Sequence, residues 1–263
     1  MLGALIGDIV GSRFEFNNIK TKDFDLFDPK CSVTDDSVMS VAIADICNQG
    51  LVNDKKGIIK TLKKWGVKYP DAGYGARFYH WVLSNDSLPY NSCGNGSAMR
   101  ISSIGWYAKS KDEVIEFSKY VTEVTHNHPE GIKGAEVTAM MIYMARNGAT
   151  KEELREYAVG IYPEIENLDY EELKKTYFHG QEICQVTLPQ ALYCFLISNN
   201  FEDCIRTTIS IGGDCDTTAA ISGAIAEAYY GIPENIEKDV RKFIPEDMWE
   251  VVADFRKKYV KNG

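Results

Sequence analysis

Residues Ile209–Tyr230 read "ISIGGDCDTTAAISGAIAEAYY", and Gly231 follows. Two glycines lead into two aspartates one residue apart, then two threonines, then a long run of small apolar residues. The small apolar residues and the Gly231 stop, with Pro233 just beyond, spell an apolar helix. Its start is the informative part. Asp216 or Thr217 would serve as an ordinary helix cap. Two glycines and an Asp-x-Asp pair are more than a cap requires, and they can aim two carboxylates at one point. From this segment alone, capping and metal ligation both fit.

The helical pattern extends outward over nearly the whole chain. Thr34-Asp35-Asp36-Ser37 opens a helix with Val38, Val41, Ala42 and Ile46 on one face, ending at Gly50. Ser110 to Glu113 and Thr150 to Glu153 have capping-box spacing. The apolar segment around Pro189 predicts a kinked or split helix. Gly3, Gly7 and Gly11 recur every fourth residue and therefore share one helix face, suited to close packing. "PEDMWEVVADFRKKYV" places its cations in the last turn, where the helix dipole favours them. Alternating strand patterns are scarce, and no linker or repeat divides the chain. The expected architecture is all-α: one compact multi-helix bundle of ten or more helices, with residues 1–263 as a single domain.

Composition narrows the function. The chain has 263 residues, 44% hydrophobic, and a formal net charge of -9. A chain this long buries roughly three quarters of its unfolded surface, enough for a deep core and a cleft. The acidic balance argues against nucleic-acid binding, which draws on a basic surface. Seven cysteines without a C-x-x-C pair fit reduced, mostly buried thiols of a cytoplasmic protein. No apolar run of about 18 residues predicts a membrane span.

The other polar loops each have a bland reading. Thr34-Asp35-Asp36 alone is well explained as an N-cap followed by acids at the positive end of a helix; as ligands, its oxygens suit Mg²⁺, Mn²⁺ or Ca²⁺ and not zinc. "SCGNG", Ser92 to Gly96, opens a helix and offers successive N–H groups to an anion, or is a plain connection. His126 and His128, in "THNHPEG", have too few partners for a zinc site; His126 suits a sugar hydroxyl or a ring as well as a surface loop. Glu15, by itself, is a surface residue. The aromatic stripe of Phe78, Tyr79 and Trp81 is core-like.

Taken in order, "GALIGDIVGSRFE", "TDDS", "GNGSAMR", "THNHPEGIKGAEVTA" and "SIGGDCDTTAAISGAIAEAYYG" resemble the ADP-ribosylglycohydrolase family. The resemblance implies an orthogonal helical bundle with a two-metal cleft. It makes Thr34, Asp35, Asp36, Asp214, Asp216 and Thr217 ligands of two Mg²⁺ or Mn²⁺ ions. It lays the diphosphate of ADP-ribose on Ser92, Cys93, Gly94, Asn95 and Gly96, puts His126 near the ADP-ribose, and brings Glu15 to the metals. Glu15, Asp35 and Asp36 become the catalytic residues. The implied reaction is hydrolysis of the bond between C1 of the distal ribose and an acceptor, an arginine, another side chain or a small molecule. The oligomeric state is open in the sequence, with a monomer as the default expectation. Two readings compete: a non-catalytic ADP-ribose-binding or structural member, and a metal-dependent nucleotide phosphohydrolase. Cys215, between the two aspartates, is a poor ligand for hard metals and is left out of the site.

Overall fold

The computed structural model describes residues 1–260. They form fifteen α-helices: α1 (Leu2–Gly11), α2 (Asp35–Asn48), α3 (Lys55–Lys68), α4 (Ala76–Leu83), α5 (Gly96–Met99), α6 (Ser102–Tyr107), α7 (Lys111–Thr122), α8 (Pro129–Arg146), α9 (Lys151–Ile161), α10 (Tyr170–Thr176), α11 (Cys184–Ile197), α12 (Phe201–Ser210), α13 (Cys215–Tyr230), α14 (Glu234–Val240) and α15 (Glu246–Tyr259). Short 3-10 turns lie at Pro163–Asn167 and Arg241–Phe243. Among the described residues there is no strand, only an isolated antiparallel bridge between Gly94 and Ile183. Among the described residues no helix is long and apolar enough to cross a membrane.

Helix α1 is buried along its whole length, and α13 is buried from Cys215 to Glu227. Each full burial of a side chain such as Leu5, Ile6 or Ile9 contributes about 1.5–3 kcal/mol. The two helices run antiparallel and touch through their smallest residues. A Cβ on Gly3 would overlap the Gly223 carbonyl, one on Gly7 the backbone of Ala219, and one on Gly11 the Cα of Asp216. The four-residue glycine spacing is thus a groove for α13. Its consequence is positional: the C-terminal end of α1 meets the N-terminal end of α13. Helices α2, α5, α8, α11 and α12 pack around this pair.

The caps follow the sequence with two exceptions. Thr150 and Glu153 close a full reciprocal capping box. Ser110 accepts the Glu113 N–H, but the Glu113 carboxylate turns to the Lys109 N–H instead, so that box is half made. Pro189 lies inside a helix that is not split. All seven cysteines are free thiols, and only Cys93 is not fully buried.

Candidate active site

The backbone explains why positions 212 and 213 are both glycine. Both adopt left-handed conformations, φ 76° and 67°, which favour glycine. A Cβ on Gly212 would strike the Lys20 ammonium, and one on Gly213 the Tyr177 ring. The turn is clamped from outside. Asn18 accepts the Gly213 N–H at 2.8 Å and donates to the Gly213 carbonyl at 2.9 Å. Lys20 donates to the Ile211 carbonyl at 2.6 Å.

The expected caps of α13 are absent. Asp214 occupies the N-cap position but makes no side-chain cap bond. Asp216 Oδ1 accepts the Thr217 N–H at 2.9 Å within the first turn, while the Thr217 side chain is used elsewhere. Thr217 Oγ1 donates to Asp36 Oδ2 at 3.0 Å, across 181 residues. The glycine turn and the TDDS motif therefore meet. Thr34 combines both of its readings: its hydroxyl accepts the Asp36 N–H at 3.3 Å as an N-cap and donates to Asp8 Oδ1 at 2.7 Å.

Six carboxylates converge here. Asp8, Asp36 and Asp216 each offer an oxygen within 4.8 Å of the others, and so do Glu15, Asp214 and Asp216. Asp216 belongs to both groups, which makes it the pivot of the cluster. Asp35, only half-buried, stands outside both groups on the wall of an adjoining cavity. The residue that sequence reasoning missed is Asp8. It is fully buried and accepts the N–H groups of Thr34 and Ser37, each at 3.0 Å. The signal was present: Asp8 is the one charged residue in an apolar helix, and a charge so placed needs a partner.

Among the described residues, no Lys or Arg is in ion-pair contact with either triad; His179 Nε2 lies 3.4 Å from Glu15 Oε1. The pKa values respond. Burial first, and then the Asp8, Asp214 and Glu15 charges, push the Asp35 carboxyl up to about 8. Asp36 is raised by burial and by Asp8, Asp35 and Asp214; Asp216 by burial and by Asp214, Asp36 and Glu15. Burial also raises Asp8, Asp214 and Glu15. Asp36 Oδ1 is buried with no hydrogen-bond partner. Hard oxygen donors, an orphaned carboxylate oxygen and unbalanced negative charge together fit divalent cations of the Mg²⁺ or Mn²⁺ kind. Cys215 is not part of this. Its Sγ is fully buried, points to the Gly11 carbonyl at 3.7 Å, and is kept protonated by burial and by Asp216 and Asp214.

The cavity beside Asp35 holds about 280 Å³ and is lined by Ser92, Gly94, Gly96, Arg77, Arg100 and His126, with Phe78, Tyr90, Met39 and Met99 as apolar wall. Only part of the expected anion nest faces it. The Gly94 N–H is bonded to Ser92 Oγ and the Asn95 N–H to the Glu182 carbonyl. Cys93 and Asn95 do not line the cavity. The Cys93 carbonyl instead accepts the Cys184 N–H, so the bridge at Gly94 staples the turn to the start of α11. The Asn95 side chain reaches the carboxylates: its Nδ2 donates to Asp214 Oδ2 at 2.6 Å and to Thr187 Oγ1 at 3.0 Å. His126 is buried against the loop, while His128 caps α8 through Nδ1.

The chain belongs to the ADP-ribosylglycohydrolase family, whose sequence profile matches residues 1–262. It is 26% identical to mouse "ADP-ribosylhydrolase ARH3", over 94% of this chain and 88% of that protein. It is also 26% identical to "ADP-ribosylarginine hydrolase Tri1" of Pseudomonas putida, over 90% of this chain and 72% of the relative. To the "ADP-ribosyl-[dinitrogen reductase] glycohydrolase" of Rhodospirillum rubrum the identity is again 26%, over 77% and 70%. A solved "ADP-ribosylglycohydrolase-related protein complex" has the same fold, with a TM-score of 0.71 at 23% identity, covering 97% of this chain and 95% of that one.

Proposed function

We propose that this chain works as one catalytic domain, a hydrolase dependent on two divalent metal ions. It cleaves the bond between C1 of the distal ribose of an ADP-ribosyl group and its acceptor, releasing ADP-ribose. The observation that carries the reading is the pair of carboxylate triads sharing Asp216. One buried triad without a counter-charge is costly; two that share a member, beside a cavity, suit two adjacent cations. Six acidic groups at full ionisation are near -6, which two divalent ions offset in large part. The relatives' printed activities, removal of ADP-ribose from arginine or from dinitrogen reductase, supply the substrate class.

Thr34, Asp36, Asp214, Asp216 and Thr217 hold the ions, Asp8 and Glu15 complete the two triads, and Asp35 contributes from the cavity side. Bound there, such ions would lower the pKa of a nearby water and draw charge from sugar oxygens. Asp35 orients the attacking water. Glu15, held protonated more readily than an ordinary glutamate by burial and by Asp214, exchanges a proton with that water or the leaving group. Ser92, Gly94 and Gly96, the members of the turn that line the cavity, and His126 take the diphosphate end. The acid-lined reaction centre favours an oxocarbenium-like transition state, as in other glycosidic cleavages.

The test is a panel of ADP-ribosyl compounds of defined linkage, incubated with Mg²⁺ or Mn²⁺ and again with a chelator. Free ADP-ribose from at least one linkage, lost with the chelator, is expected. Release of phosphate instead would assign a phosphohydrolase. Stabilisation by ADP-ribose and metal without turnover would assign a binding protein.

A further inference from the structure

Behind the cavity lies a short hydrogen-bond chain. Arg100 is 1% exposed, and among the described residues no carboxylate pairs with it. Its Nη2 donates to Thr125 Oγ1 at 2.7 Å, and its Nε has no partner. Thr125 Oγ1 lies 2.8 Å from His126 Nδ1. The far side of the imidazole meets the glycine turn: a Cβ on Gly96 would sit 3.2 Å from His126 Nε2, and one on Gly94 3.7 Å.

Two proton arrangements satisfy this chain, and their geometry separates them. If Nδ1 carried the proton, Thr125 Oγ1 would accept from both Arg100 and His126. Its own proton would then have only the Thr122 carbonyl, at 3.5 Å, the edge of bonding distance. If Nδ1 is bare, Thr125 accepts from Arg100 and donates to Nδ1 at 2.8 Å, and every group is used. We infer that Thr125, with one lone pair filled by Arg100, is a positioning residue that fixes His126 as the Nε2–H tautomer and aims that N–H at a phosphate oxygen in the cavity. Burial and the Arg100 and Arg77 charges hold His126 well below the usual imidazole range, which keeps the ring neutral. Arg77 and Arg100 both line the cavity, with Asp35 on the same wall, and an anion there would meet the two cations. The inference rests on the ADP-ribose reading for the identity of the ligand; the tautomer itself does not.

The chain has four histidines, so imidazole ¹⁵N spectra of the Mg²⁺-loaded protein are simple. His126→Asn identifies the His126 signals. The expected spectrum near neutral pH is a single neutral Nε2–H pattern, retained in Thr125→Ser. In Thr125→Val that single pattern is lost, and ADP-ribose, measured by calorimetry, binds about tenfold more weakly. An Nδ1–H pattern in the wild-type protein overturns the inference even if no variant folds. So does an unchanged pattern and affinity in Thr125→Val. A wild-type protein with the Nε2–H pattern that binds no ADP-ribose overturns the ligand half together with the functional reading, whereas a wrong tautomer overturns this inference alone.

Discussion

Asn95 Nδ2 donates to Asp214 Oδ2 at 2.6 Å, joining a turn that borders the cavity to a carboxylate 119 residues further along the chain. The bond is short, as expected for a neutral donor on a carboxylate. Thr187 Oγ1, on α11, receives the second Asn95 contact and fixes the amide. The ligand cavity and the acidic cluster are thus two ends of one hydrogen-bonded unit.

Asn95→Ala should therefore weaken both ends. Partners one layer behind a metal ligand typically carry 10–100-fold in metal affinity or activity, so a loss of about tenfold in Mn²⁺ affinity is expected. ADP-ribose affinity should fall with it. Calorimetric titration of each ligand checks this; a variant with wild-type Mn²⁺ affinity would show that the contact is only structural.

The acidic cluster should make the metal-free protein sensitive to alkali. An unfolded aspartate titrates near 3.9, roughly, while Asp35 in the fold titrates at about 8 and Asp36 and Asp216 are also raised. Between these values the folded state holds more protons than the unfolded chain, so stability falls as pH rises. His126, shifted down, gives the opposite slope, but only below about pH 6.5, where the unfolded imidazole takes its proton. Above that pH two other groups still oppose the acids, the buried N-terminal amine and Lys151, both pushed down first by burial, Lys151 to about 8; Asp35, Asp36 and Asp216 outnumber them. In chelator, Tm should drop between pH 6.5 and 8. Saturating Mg²⁺ should flatten or reverse the drop, because the ion binds the deprotonated cluster. A Tm that rises with pH in chelator would contradict the shared-charge description.

The helix crossing is open to a single substitution. Gly7→Ala gains about 1 kcal/mol in helix propensity. Its Cβ, however, would overlap the Ala219 backbone, which has no flexible end to give way. Overpacking of this kind costs about 1–3 kcal/mol, and more when backbone must shift. The clash should win, lowering the urea midpoint and loosening the Asp8–Asp216 geometry one turn away. Equal or greater stability in Gly7→Ala would show that α1 and α13 sit further apart.

Cys215 gives a contrasting case. Cys215→Ala should cost about 1 kcal/mol through a small void and leave Mn²⁺ affinity within about twofold, since the thiol faces Gly11 and not the carboxylates. A tenfold loss of metal affinity would place sulfur among the ligands.

The fold was legible because small-residue spacing and apolar runs act locally. Gly3, Gly7 and Gly11 named the packed face, and Thr150 with Glu153 named a helix start. Half of the Ser110 box was lost because Glu113 found a nearer N–H at Lys109, a choice no spacing rule contains. Pro189, read as a kink or a break, lies inside one unsplit helix. In the site, the two acidic motifs were visible but individually ambiguous; only their meeting through Thr217 and Asp36 sets their use apart from capping. Asp8 is hard to assign from sequence because it stands alone in an apolar run and its partners lie 26 to 29 residues away. The nest at Ser92–Gly96 was overdrawn for a similar reason. Two of its N–H groups are consumed by Ser92 and Glu182, and the sequence does not show where such bonds go.

The central claim is that Asp216 is shared by two metal positions and that both are needed for cleavage. The direct test counts ions by equilibrium dialysis with Mn²⁺ and measures ADP-ribose release on the same samples, for the wild-type protein and Asp216→Ala. The account predicts two ions per wild-type chain, with release of ADP-ribose that chelation removes. In Asp216→Ala it predicts fewer than one ion per chain and no release. An Asp216→Ala protein that still holds two ions and releases ADP-ribose at the wild-type rate would contradict it.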